Sequence, residues 1–263
     1  MKKPAADFLL VDVSNSFTKI ALASRERVGR VGCVATAAFQ AHDIEKILRT
    51  RDARVIVVSS VVPGKNREIS RPGKKRDLIW VSAKLRLDLR IDYPNPQTIG
   101  ADRLANAVAG AHLYGRPTIV VDFGTAATFD VVDGRNAYIG GVIAPGIESM
   151  THFLYDRTAL LPRVSLKNPR SVVGKSTREA MLAGAVFGYR GLVREILRGI
   201  VKEKFQHKDV QTIATGGYAK LMAAGLPELR VVHENLTLEG LRLIGRMNSP
   251  RNRSSNSQAT SCE

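Results

Sequence analysis

Val120-Val121-Asp122-Phe123-Gly124-Thr125-Ala126-Ala127-Thr128 repeats, in the second half of the chain, the pattern of Leu10-Val11-Asp12-Val13-Ser14-Asn15-Ser16-Phe17-Thr18. Each segment is an apolar run that ends in Asp. Small and hydroxylated residues follow, then a second β-rich run. The pattern predicts a strand, a tight turn and an antiparallel strand. Repetition of such a unit predicts a duplicated fold. Two hairpins, each with an Asp beside a small-residue turn, could hold a nucleotide's phosphates and its metal between two halves of one molecule.

Working outward, 263 residues fit one large domain or two of about 100–150 residues. Hydrophobic residues make up 44%, enough for a real core. No run approaches the ~18 apolar residues of a membrane span. The basic start, Met1 to Pro4, precedes a short apolar stretch broken by Asp7 and Asp12, which does not read as a secretory signal. The two cysteines, Cys33 and Cys262, fit a reducing cytoplasm better than a disulfide framework. No Cys/His spacing suggests zinc.

The net charge of +16, from 40 Lys and Arg against 24 Asp and Glu, requires nucleic-acid binding to be weighed. The one dense basic patch, residues 65–76, lacks interleaved aromatics. It reads as a solvated loop rather than a nucleic-acid site. A basic surface also attracts small anions.

The N-terminal half reads as β-β-β-α-β. Strands are expected at 8–13 and 17–23, a helix over 41–49, and a doubly buried strand over 55–60. A short strand holds Trp80 and Val81. Tyr93-Pro94-Asn95-Pro96 is a fixed loop, because proline biases the preceding residue to extended geometry. A helix begins near Asp102 and stops at Gly115 and Pro117. The second half repeats the hairpin from Thr118 and adds a strand over 138–144. Ser176-Thr177-Arg178-Glu179 is a capping box before a long amphipathic helix. A strand over 212–215 ends in Gly216-Gly217. Short elements follow near 230–233 and 238–246. Residues 248–263 read as a disordered polar tail. The expected architecture is α/β, with two strand-rich lobes, 1–116 and 117–247, around a cleft.

Several residues carry candidate chemistry. Asp12 is either a turn former or, with Ser14, Asn15 and Ser16, part of a phosphate cradle, with Lys19 adding charge. Gly124 permits close approach, and Thr125 offers a hydroxyl and an N–H. Two carboxylates facing one pocket suit a hard cation such as magnesium. Asp102 is a good N-cap and equally a base that could deprotonate a hydroxyl. Arg103 offers a fork for a carboxylate. Thr215-Gly216-Gly217 is either a simple turn or a surface for a base or ribose.

The ordered set of these motifs resembles the type III pantothenate kinase family. It comprises the Asp12 hairpin, Tyr93, Gly100 to Arg103, Asp122 to Thr125, Gly140-Gly141 with Pro145-Gly146, Thr158-Ala159 with Leu161-Pro162, Gly174 to Thr177, and Thr215 to Gly217. The resemblance implies two tandem ribonuclease-H-like domains, as in actin and acetate kinase. It implies ATP-dependent phosphorylation of pantothenate, the first step of coenzyme A synthesis, in the cytoplasm. Asp102 would be the base. Asp12, Val13, Ser14, Asn15, Ser16, Phe17, Thr18, Lys19 and Thr125 would contact ATP. Tyr93, Gly100, Ala101, Asp102, Arg103 and Thr177 would contact pantothenate. Asp122 would bind a monovalent cation, potassium or ammonium, alongside magnesium. A homodimer is implied, with the long helix after Thr177 as a place for its interface. Ser14, Ser16 and Ala127 depart from the family pattern. A weakly active regulatory member, another small-molecule kinase and a nucleic-acid binder are the rival readings.

Overall fold

The computed structural model describes residues 6–74, 76–206 and 209–249. The first sheet is built from β1 (Ala6–Val13), β2 (Phe17–Ala23), β3 (Val28–Ala35), β4 (Ala53–Ser60) and β5 (Asp77–Trp80), in the order β3-β2-β1-β4-β5. Two helices, α1 (Ala41–Thr50) and α2 (Asn66–Gly73), connect its later strands. The second sheet is built from β6 (Arg90–Ile91), β7 (Thr118–Phe123), β8 (Ala126–Val132), β9 (Ala137–Pro145), β10 (Gln211–Thr215) and β11 (Val231–Val232). Its order is β11-β10-β7-β8-β9-β6.

The duplication extends beyond the hairpins. β1 pairs antiparallel with β2 and parallel with β4; β7 pairs antiparallel with β8 and parallel with β10. Asp12 therefore sits beside Ser59, and Asp122 beside Thr215, at equivalent strand ends. Central parallel strands are covered on both faces, which explains the continuous apolar run in β4.

Helices α3 (Ala101–Tyr114) and α7 (Leu236–Asn248) pack against each other between the sheets. Their core joins Phe8, Leu10, Val55 and Val57 of the first sheet to Val120, Val132 and Ile213 of the second, through Leu104, Val108, Leu241 and Ile244. Each such side chain contributes about 1.5–3 kcal/mol on full burial. The Ala-rich α3 allows a close crossing, and a Cβ at Gly240 would collide with the Ala105 backbone. Each half of the chain lends an element to the other's sheet: β6 joins the second, and α7 packs on β1 and β4.

The outer face of the second sheet is covered by α5 (Thr177–Phe205), with α4 (Ile147–Arg157) and α6 (Ala219–Ala223) beside it. The Ser176 hydroxyl accepts from the Glu179 N–H, and Glu179 accepts from Lys175 N–H rather than from Ser176. The apolar stripe of α5, including Leu182, Val186, Tyr189, Val193 and Leu197, is buried inside the chain.

The basic stretch expected as a loop is folded instead. Pro63–Lys65 form a 3-10 turn, and α2 follows with Ile69 buried beneath it. Lys65 donates to the carbonyls of Ala37 and Phe39, and Arg76 pairs with Asp52. Part of that charge is therefore structural. Asn248 ends α7, and the expected tail beyond residue 249 lies outside the described residues, as does Cys262. No helix among the described residues is long and apolar enough to cross a membrane.

Candidate active site

Both hairpin carboxylates reach one cleft between the sheets. Its cavity, about 320 Å³, is lined by Asp12, Ser14, Ser16, Phe17 and Lys19 from the first hairpin and by Asp122 to Thr125 from the second. Gly216, Gly217, Tyr218, Glu148 and Thr237 complete it. A larger groove of about 740 Å³, between α5 and the segment after α6, lies apart from this chemistry. The Ser16 and Thr125 hydroxyls bridge the hairpins. Lys19 Nζ donates to the Glu234 carbonyl at 3.2 Å, tying β2 to the approach to α7. The Val13 and Thr18 side chains are buried, with Thr18 bonded to Thr36, and Asn15 is exposed off the cavity wall. None of those three lines the cavity.

Asp12 is buried, and its Oδ1 has no hydrogen-bond partner. Burial pushes its carboxyl up to about 7, and the charges of Asp102 and Asp122 add to the shift. The nearby Ser59 hydroxyl and Lys19 pull the other way, Ser59 without completing a full hydrogen bond. Asp122 Oδ2 accepts from Asn106 Nδ2 at 2.9 Å, and Asn106 Oδ1 accepts from Thr237 at 2.8 Å. Burial raises Asp122 as well, with Asn106 opposing. Gly216 has φ of +89°, and a Cβ there would strike Asp122 Oδ1. Glycine is required at that strand end.

The second group lies at the start of α3. Its N-cap is Gly100, not Asp102. Asp102 stands in the first turn, where its Oδ1 accepts from the Arg103 N–H at 2.8 Å. Burial raises the Asp102 carboxyl, with Arg103 opposing. A Cβ at Gly100 would lie 2.5 Å from Asp102 Oδ1, so the glycine keeps space for the carboxylate. Arg103 Nε donates to Asp130 Oδ1 at 2.7 Å, and Tyr138 donates to the same oxygen at 3.0 Å. Tyr93 packs edge-on against Tyr138, with ring centres 6.2 Å apart. Ala101 opens the helix beside them. Thr177 is exposed at the start of α5, and no hydrogen bond joins it to this group among the described residues.

Asp130, Asn106, Tyr138, Ser59 and Thr237 were not legible as site residues from local pattern. Asp130 interrupts an apolar strand, and Asn106 interrupts an Ala-rich helix one turn after Asp102. A polar residue where a buried face is expected was the available signal.

Among the described residues, no three His, Cys, Asp or Glu side chains are grouped to chelate a metal. The site nevertheless fits a shared cation. Asp12 presents an unpartnered buried carboxylate oxygen, Asp122 lines the same cavity, and the charge of Asp102 is near enough to raise both. A cation there would complete its shell with phosphate oxygens and water.

Two mixed sheets, each ending an acidic central strand at a shared cleft, form a fold of the sugar-kinase type. The fold matches a polyphosphate/ATP-glucomannokinase from Arthrobacter (TM-score 0.50, 12% identity, 93% of this chain and 100% of that one). It also matches a Campylobacter jejuni protein described as a Baf family transcriptional activator (TM-score 0.59, 20% identity, 90% and 96%). The type III pantothenate kinase family model matches residues 8–199. A type III pantothenate kinase of Methylacidiphilum infernorum is 43% identical over 245 residues, 93% of this chain and 90% of that one. The chain belongs to the type III pantothenate kinase family and is a kinase.

Proposed function

We propose that this chain transfers the γ-phosphoryl of ATP to the primary hydroxyl of pantothenate. The observation that carries this reading is that Asp12 and Asp122 line one cavity while Asp102, at the start of α3, lies near enough for its charge to act on both. Ser14, Ser16, Thr125 and the turn N–H groups bind phosphate oxygens, and Lys19 adds positive charge. Phosphoryl transfer asks mainly for positioning and charge neutralisation. Asp12 would hold the magnesium that accompanies ATP and Asp122 a potassium or ammonium ion, and the chemistry these supply is neutralisation of phosphate charge. Asp102 orients the acceptor hydroxyl and takes its proton as the new O–P bond forms and the bond to the β-phosphate bridging oxygen breaks. A raised carboxyl is a better base at neutral pH. Arg103 and Tyr93 bind pantothenate, with Arg103 receiving its carboxylate.

The lobes 1–116 and 117–247 would close on the nucleotide. A homodimer fits the exposed apolar side chains Met150, Phe153, Leu154 and Tyr155 of α4, together with Leu160, Val172 and Val173. This patch, rather than the buried stripe of α5, is the surface a second copy would cover. Thr177 would then join an acceptor site across that interface. Light scattering of the purified chain should give twice the chain mass. The kinase reading is tested by coupled ADP release with magnesium, ATP and pantothenate, with and without potassium or ammonium. Absence of pantothenate-dependent ADP in every mixture overturns it.

A further inference from the structure

We propose that Asp130 is the positioning residue of the acceptor site, holding the Arg103 guanidinium so that its terminal nitrogens meet the anionic end of the acceptor. The inference rests on the assignment of pantothenate as that acceptor.

Asp130 is fully buried in the middle of β8, where a charge is costly unless paired. Its Oδ1 receives both Arg103 Nε, at 2.7 Å, and the Tyr138 hydroxyl, at 3.0 Å. Thr128 donates to Oδ2 at 3.4 Å. Nε is the guanidinium nitrogen that an end-on fork does not use. Among the described residues, Nη1 and Nη2 of Arg103 have no hydrogen-bond partner. The pair therefore fixes the side chain from behind and leaves its fork open.

The surroundings fit this arrangement. The Arg103 guanidinium carbon lies 5.9 Å from the Tyr138 ring centre, which walls one side. Gly141 stands directly opposite Asp130 in the β8–β9 register. A Cβ at Gly141 would strike the Phe129 carbonyl first and would also lie 2.7 Å from Arg103 Nη2, so the glycine that the strand pairing requires also leaves room for the guanidinium. A free Arg side chain carries about 2 kcal/mol of rotamer entropy. The buried carboxylate removes much of that freedom before the acceptor arrives.

The sign of one substitution separates this role from simple electrostatics. Asp130 is itself an anion near an anionic ligand. If its charge acted alone, Asp130→Asn would tighten pantothenate binding. The positioning role requires the reverse: a KM for pantothenate raised about 10–100-fold, the range of a charge-assisted hydrogen bond. The KM for ATP should stay within about twofold, and kcat should change less than the pantothenate KM. Tyr138→Phe should raise the pantothenate KM in the same direction and by less. In an Arg103→Gln background, Asp130→Asn should add nothing further.

An unchanged or lowered pantothenate KM in folded Asp130→Asn overturns the proposal. If that variant does not fold, a normal KM in Tyr138→Phe overturns it. The Arg103 Nε–H resonance in NMR gives a readout independent of turnover. Slow solvent exchange in the unsubstituted protein, lost in Asp130→Asn or quickened in Tyr138→Phe, supports the clamp; rapid exchange in the unsubstituted protein overturns it. A protected Nε–H in a protein that releases no ADP with pantothenate overturns the acceptor assignment instead.

Discussion

The Ser16 hydroxyl of the first hairpin lies 2.8 Å from the Thr125 hydroxyl of the second. The bond is exposed, so it adds little to stability. Its importance is positional, because it brings the two hairpin turns to one point. Phosphate oxygens can replace it with charge-assisted bonds. Thr125→Val is expected to raise the KM for ATP about tenfold or more and to leave the KM for pantothenate within about twofold. Ser16→Ala should act in the same direction. Initial rates at varied ATP check this, and an unaltered ATP dependence in both variants removes the hydroxyls from phosphate binding.

Asp102 stands in the first turn of α3, near enough for its charge to act on Asp12 and Asp122, with one carboxylate oxygen held by the Arg103 N–H. Asp102→Asn keeps that bond and the shape but loses the base. Turnover should fall by about two to four orders of magnitude, while ATP binding measured by calorimetry stays close to normal. Near-normal turnover would deny Asp102 the proton.

Gly100 tests the same carboxylate by geometry alone. In Gly100→Ala the new Cβ would sit 2.5 Å from Asp102 Oδ1. The carboxylate must rotate away, since a real Cβ does not approach so closely. Turnover should drop by about tenfold or more, out of proportion to the loss of about 1 kcal/mol of stability expected when alanine replaces glycine at an N-cap. Full activity in this variant would mean that the carboxylate works equally well from another rotamer.

Asp12 makes a prediction about pH. Its carboxyl stands at about 7 in the fold, against 3.8 unperturbed. A raised pKa means that the neutral form is favoured by folding. The associated stability is present below about pH 4 and is lost as pH rises through about 7. Asp12→Asn should therefore flatten the stability curve of the ligand-free protein between about pH 4 and 8. It should gain stability relative to the parent at pH 8, by at most about 4 kcal/mol. Denaturant titrations across that range measure it. A parallel curve for the variant would place the titration elsewhere.

Local sequence revealed the elements whose residues announce themselves. The two hairpins follow from apolar runs closed by small residues, and α3 and α5 follow from their spacing and from Gly115, Pro117 and Ser176. What escaped detection depends on distant partners. Only Ile69 and Gly73 of α2 are buried, too few to show a helical period in a run of charges. α4 begins directly after Pro145-Gly146, a dipeptide that by itself marks a turn rather than the start of a helix. Asp130 resembles an out-of-place charge until Arg103, far away in the chain, is folded against it. Likewise Asn106 gains meaning only when Asp122 and Thr237 arrive on either side.

The placement of α7 has a consequence for how the molecule comes into being. Leu236, Leu241 and Ile244 fill the core beside Phe8, Leu10, Val55 and Val57. A Cβ at Gly245 would already press on Val57 and Phe8. The first sheet is thus finished by α7, the last helix among the described residues. During synthesis its inner face, partly covered by α3, must wait for α7 to emerge before its core is complete. A chain ended before Leu236 would leave the part of that face under α7 open, and the earliest strands would be the ones to aggregate.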